Sequence, residues 1–184
     1  LLMDAETSFN LENYLADQIG SAIGRKANEY FAIGTGSSQP EGFINASTGK
    51  TTASATAITL DEIISLVHSV DPVYRARGAS FIANDLIWDY VRKLKDGDSR
   101  YQWEPSAQLG VPDRLFGYPV YSDTNMDSAV TTGKKTMVFG DISTLYIRYS
   151  GGLRVDTSSD VNFANDQVVI RGLMSVDSVL TDTN

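Results

Sequence analysis

The chain has 184 residues, a formal net charge of −8, 42% hydrophobic residues and no cysteine. That length allows one or two domains with a real core, and no run of about 18 apolar residues is present to span a membrane. The composition excludes disulfides, thiolate metal sites and a cysteine nucleophile, and the acidic balance argues against a general nucleic-acid binder, which needs clustered Lys and Arg for phosphates.

In chain order, Leu1-Leu2-Met3-Asp4 carries no basic-then-apolar leader and reads as the start of a piece cut from a longer protein. The lack of cysteine fits a cytosolic setting. Residues 8–42 then read as one long amphipathic helix that runs into a glycine-rich elbow. Leu11, Tyr14, Leu15, Ile19, Ala22, Ile23, Ala27, Tyr30 and Phe31 recur in steps of three and four, which places them on one stripe. Ser8 or Asn10 caps the first turn, Glu12 suits the positive end of the helix dipole, Arg25 and Lys26 suit the other end, and Gly34 stops the helix. About 22 residues make a rod of roughly 33 Å. Such a rod either crosses a core or forms a spine that carries a second lobe.

The elbow Gly34-Thr35-Gly36-Ser37-Ser38-Gln39-Pro40-Glu41-Gly42 fails as a dinucleotide fingerprint, because the third glycine is replaced by Gln39 and a helix precedes it. Gly49-Lys50-Thr51 fails as a phosphate loop, because Ile44 stands where the first glycine is required. Residues 45–59 read as an exposed loop with a short strand. Thr59 or Asp61 caps a helix over 60–70 with Leu60, Ile63, Ile64, Val67 and Val70 facing inward, closed by Asp71-Pro72. Residues 79–83 are a strand. Asn84 or Asp85 caps a helix over 85–95 with Leu86, Ile87, Tyr90, Val91 and Leu94 inward. An irregular segment follows to 114, then a strand from Gly117 to Tyr121, a polar loop over 122–135, a strand over 136–139 and a turn at Gly140-Asp141. Leu145, Ile147 and Tyr149 alternate, as do Leu153 and Val155, and Val168, Ile170, Gly172, Met174, Val176 and Leu180 share one face of a final long strand. Long helix and long strands at the two ends imply an elongated lobe, with a compact lobe of short elements inserted at about 34–140.

The chemistry-bearing residues do not assemble into an active site. His68 is the single histidine, with neither partner base nor elbow serine, and reads as structural. Asp96-Gly97-Asp98 opens like a calcium loop, but Tyr101 and Ala107 stand where Gly and Glu are needed. Glu41, Glu62 and Glu104 are scattered, and Arg92-Lys93-Lys95 reads as a solvated helix face. No catalytic, cofactor-binding or metal-binding residue is therefore assigned, and no enzyme activity is expected.

Four stretches together do carry a signal. They are Gly34-Thr35-Gly36 with Gln39-Pro40-Glu41-Gly42-Phe43-Ile44; Leu94-Lys95-Asp96 with Arg100-Tyr101 and Trp103; Leu115-Phe116-Gly117-Tyr118-Pro119-Val120; and Phe139-Gly140-Asp141. In that order and spacing, after a long helix, they resemble the major capsid proteins of tailed bacteriophages, the family with the Hong Kong 97 fold, over nearly the whole chain. The resemblance implies an α+β architecture. Residues 1–33 and 146–176 would form the peripheral domain, with spine helix and long strands. Residues 34–145 would form the axial domain, with 177–184 returning to it. The family's N-terminal arm and extended loop would precede residue 1.

By the same resemblance the protein would be a homo-oligomer of pentamers and hexamers in an icosahedral head shell, in the virion and, during assembly, in the bacterial host cytoplasm. It would need no cofactor, enclose DNA without sequence-specific binding, work with scaffolding and portal proteins, and have no membrane partner. Subunit contacts are expected from Ser122, Asp123, Asn125, Asp127, Thr131, Lys134 and Lys135 on the polar loop. Some members cross-link through a Lys–Asn isopeptide bond assisted by Glu. The Asn position falls on Asp166 and the Glu position on Leu173, which speaks against cross-linking here and leaves Asp166 as a further interface candidate. Without arm and extended loop, the piece given is expected to be a monomer or weak oligomer, and the full-length chain to form rings or shells. The competing readings are a nanocompartment shell of the same fold, or a soluble binding or enzyme module with its site between the 34–42 and 96–114 loops.

Overall fold

The computed structural model describes residues 11–95, 97–101, 103 and 113–181. The proposed caps Ser8 and Asn10, the side chains of Leu11 and Glu12, and Asp96, Glu104 and 182–184 lie outside what is described. The chain begins with α1 (Leu11–Ile33, 23 residues), followed by one-turn α2 (Phe43–Ala46), α3 (Leu60–Ser69), one-turn α4 (Pro72–Arg75), β1 (Ser80–Ala83) and α5 (Asp85–Arg92). Short β2 (Arg114–Leu115), β3 (Tyr118–Ser122) and β4 (Met137–Gly140) come next. The last two elements are long strands, β5 (Leu145–Asn162) and β6 (Gln167–Leu180). The composition is α+β, as the resemblance implies.

The middle elements form a body on a sheet of order β2-β3-β1-β4, with β3 parallel and β4 antiparallel to β1. Period-two alternation sends the two sides of β1 into different clusters. Phe81, 0% exposed, stands beside Val120 and Phe139 and packs with Ile63 and Val67 of α3 and Ile87, Trp88 and Val91 of α5. Ile82 and Val138 pack on the other cluster, built from Ala32, Phe43, Ile44 and Met126. The second cluster therefore locks the last turn of α1 to the body. Thr59, not Asp61, caps α3: Thr59 and Glu62 close a reciprocal capping box. Asn84, not Asp85, caps α5 through its side chain to Leu86 N.

The elbow is a close approach of backbone to backbone. Gly42 N donates to Gly34 O at 2.9 Å, and Thr35 bridges Glu41. A Cβ on Gly42 would stand 2.5 Å from Ala32 O and Gly34 N, and one on Gly34 would collide with Pro40 O and Tyr30 O. Only glycine fits at these two positions. Glu41 N then donates to Ser178 O at 3.3 Å, and Ser178 Oγ donates to Glu41 O at 2.7 Å, which pins the elbow to β6.

Among the described residues β5 and β6 pair with each other alone, from Leu145↔Leu180 to Asn162↔Gln167. One face of this hairpin lies against α1. Ile19 and Ile23 sit over Gly172, the Cβ position of Gly20 is 3.8 Å from Leu153 Cδ2, and the Phe31 and Tyr149 rings meet edge-on at 6.5 Å. The helix therefore acts as a spine laid along a two-stranded ribbon.

Several expectations change. Tyr14 and Ala22 of the stripe are exposed, because the two described strands cover only part of the apolar arc. On α3, Ile64 is turned outward. On α5, Leu86 is 60% exposed and Trp88 takes the inward place, its Nε1 donating to Tyr121 O at 3.1 Å. Val168 is exposed because α1 does not cover the distal end of β6, whereas the alternation from Ile170 to Leu180 holds. Residues 47–59 form no strand, and Asp71-Pro72 both closes α3 and opens α4, with Asp71 capping Val73 N.

Candidate functional site

The polar loop 122–135 is a built structure. Asp123 N donates to Ala83 O at 3.0 Å, and its carboxylate accepts from Asn125 N and Nδ2, both at 2.9 Å. Met126 plugs the second cluster, and the buried Asn84 amide donates to Met126 O at 3.0 Å. Asp127 and Lys134 pair across the loop at 2.9 Å. Lys135 Nζ donates to Ile44 O at 2.6 Å and Ser47 O at 3.2 Å, so it ties the loop to the end of α2. Ser122, Thr131 and Lys134 are exposed, while Asp123, Asn125, Asp127 and Lys135 are half-buried. The fold thus brings seven of the eight expected contact residues onto one braced loop.

Asp166 stands apart, at the far tip of the β5–β6 hairpin. It adopts φ 51° and ψ 46° after the turn Phe163–Asn165, a left-handed conformation that Asp tolerates well. Leu173 is exposed and pairs with Arg154, on the side of β6 away from α1. Sequence reasoning overlooked the tip's apolar character: Phe163 is 81% exposed and is flanked by exposed Val161 and Val168.

Among the described residues, the elbow and the 96–114 segment are not joined into a site. The elbow is bonded to Ser178 of β6, whereas Trp103 packs edge-on against Trp88 at 5.9 Å in the body core and donates from Nε1 to Arg114 O at 2.9 Å. Arg92 stacks over Trp103 and pairs with Asp113. The rest of that segment, 104–112, lies outside the described residues. A groove of about 830 Å³ lies elsewhere, between loop 47–53, α3 and β4. Its charged groups already serve the fold. Lys50 Nζ donates to Ser65 O, and the Glu62 carboxylate accepts from Ala53 N at 2.6 Å and Thr59 N at 2.8 Å. Those bonds, Ala53 foremost, hold the Glu62 carboxyl below its usual range. His68 is exposed in the last turn of α3, where a helix dipole favours positive charge. No group of three or more His, Asp or Glu that could hold a metal exists among the described residues.

On the hairpin, Asp156 accepts from Arg171 at 3.0 Å across the strands and from Arg154 at 3.0 Å along its own strand. Arg171 first, then Arg154, lowers its carboxyl below the ordinary value.

The phage capsid family matches residues 3–184. The chain belongs to that family. Among solved structures it is similar to the capsid of an empty GTA particle computed with C5 symmetry, with 28% identity and a TM-score of 0.80, over 94% of this chain and 63% of that one. It is also similar to the capsid of a native GTA particle computed with C5 symmetry, with 27% identity and a TM-score of 0.78, over 94% and 62% of the two chains. A comparison with curated proteins finds no match. The fold is thus an α+β capsid fold, and this chain spans less than two thirds of the length of those capsid chains.

Proposed function

We propose that this chain is the structural subunit of the icosahedral head shell of a tailed phage or prophage, assembling into five- and six-membered rings. The observation that carries the reading is the family match across residues 3–184, joined to a TM-score of 0.80 against a capsid computed with five-fold symmetry. In this reading residues 1–33 and 146–176 form the peripheral domain and 34–145 the axial domain, to which 177–184 return. Ser122, Asp123, Asn125, Asp127, Thr131 and Lys134 meet symmetry mates near the ring axes, with Lys135 bracing the loop from below and Asp166 meeting neighbours at the hairpin tip. The braced loop supports this, since a rigid display loses less conformational entropy on association. The exposed apolar residues of the hairpin support it too, because contiguous exposed apolar surface marks sites of association.

The role is structural, without catalysis or cofactor. Scaffolding and portal proteins are the expected partners, the enclosed DNA is held without sequence readout, and the protein passes from host cytoplasm to virion. Expression of the complete coding sequence followed by electron microscopy tests the reading. Closed shells or rings are expected; a protein that stays monomeric by light scattering under all conditions overturns it.

A further inference from the structure

β2 and β3 are joined by the two-residue turn Phe116-Gly117, which closes on the pair Leu115↔Tyr118. Phe116 takes φ 51° and Gly117 φ 87°. A hairpin turn of this size needs positive φ at both positions and favours Asn-Gly or Asp-Gly. Gly117 meets that demand. Phe116 does not, since a bulky side chain in the left-handed region is strained. Among the described residues the other non-glycine residues with positive φ are Ser38, Ser99 and Asp166, all small and polar. The fold gives Phe116 no packing in return. It belongs to neither hydrophobic cluster and is 46% exposed. Strain held at an exposed apolar side chain points to a role outside the monomer. Arg114 is exposed on the same edge of the sheet. Its guanidinium reaches Gly117 O at 3.5 Å and has no carboxylate partner among the described residues.

The groove beside α3 lies at the opposite edge of this sheet. In the order β2-β3-β1-β4, β4 is the outer strand there, and Met137 to Gly140 line the groove. Leu66, Met137, Ile142 and Leu180 make much of its lining apolar. Asp71 and Asp141 line it too. Their carboxylates accept from the backbone N–H groups of Val73 and Ser143, and neither pairs with a cation among the described residues. One edge therefore offers an aromatic knob beside an unpaired cation, and the other an apolar groove beside unpaired carboxylates. They cannot meet within one chain, because the sheet separates them. A knob and a groove on opposite edges of one subunit make a heterologous contact, which closes into a ring when the rotation permits. A twofold dimer would need both features on a single patch.

We propose that Phe116 and Arg114 of one copy seat in the β4-side groove of the next copy around a ring, with the phenyl ring against the apolar lining and the guanidinium facing Asp71 and Asp141. This deepens the proposed function and rests on its reading that the chain forms rings. Aromatic residues and arginine are the side chains enriched in the buried centres of such interfaces. The strained turn is then the means of holding a large ring outward, clear of the sheet.

Photocrosslinking of the complete coding sequence tests the contact. Benzoylphenylalanine replaces Phe116, and this variant is co-assembled with isotopically heavy parent chain, irradiated and digested. Adducts should join the light peptide at position 116 to heavy peptides from 60–71 or 136–144. Adducts to other peptides alone, or no adducts in particles that do form, overturn the inference and leave the shell reading standing. A parent chain that forms neither rings nor shells overturns both. The substitution F116N separates the knob from the turn. Asn suits the turn, so the melting temperature of the unassembled chain should hold or rise. The protein concentration needed for assembly should rise by about tenfold or more, as loss of an anchoring side chain gives. F116Y keeps the aromatic ring and should assemble like the parent. An F116N chain that assembles at the parent's concentration, or that melts below the parent, would assign Phe116 to the monomer's own fold and overturn the inference.

Discussion

The body and the spine solve the same problem in opposite ways. The body surrounds Phe81 with helices on one face and a second cluster on the other, and its two tryptophans satisfy their N–H groups on Tyr121 O and Arg114 O. Among the described residues the spine has two strands and one helix, a ribbon exposed on one face. A two-stranded hairpin is marginal in water by itself. Packing closes the body on its own residues, and the shell contacts proposed above would cover the open face of the spine.

The largest expected effect is in the body. Phe81→Ala removes a fully buried ring and should cost about 3–5 kcal/mol. Phe163→Ala, the same chemical change at the hairpin tip, should leave stability within about 0.5 kcal/mol. Urea unfolding of both variants checks this; equal losses would erase the distinction between the regions.

A smaller effect is expected where the two regions of the spine touch. Gly172→Val places a side chain where Ile19 now sits, so α1 must lift from β6. Overpacking of this kind costs about 1–3 kcal/mol. Amide exchange should rise in α1 and β6 while β1 and α5 stay protected. A uniform loss across all four would show that spine and body unfold as one unit.

The smallest effect is electrostatic. Backbone bonds from Ala53 and Thr59 depress the Glu62 carboxyl, so its contribution is present at neutral pH, above the unfolded-state value. It is lost as pH falls through the depressed folded-state value. The difference in melting temperature between the parent and Glu62→Gln should therefore shrink on acidification below the ordinary glutamate range. A difference that grows in acid would reverse the sign of the argument.

Much of this was legible in the sequence because local rules decided it. The alternative caps Thr59 or Asp61 and Asn84 or Asp85, the breaker Gly34 and the alternation from Ile170 to Leu180 all act over a few residues. What could not be read depends on width and crossing. That the ribbon is two strands wide among the described residues, leaving Tyr14 and Val168 exposed, follows from pairing partners and not from periodicity. Trp88 displaces Leu86 because the sheet needs a large ring against Phe81, at 6.4 Å, a demand from residues distant in sequence. The loop candidates could be named by polarity, but Lys135 turns inward because two carbonyls at the end of α2 need a donor. Gly172 did leave a trace, as the one residue without a side chain in an otherwise apolar stripe.

Hydrogen exchange compared between the unassembled protein and its particles tests the central claim most directly. Amides of β5 and β6 should exchange readily in the free chain and become protected in particles, while β1 and α5 should be protected in both. Particles whose hairpin exchanges as fast as that of the free chain would contradict the account.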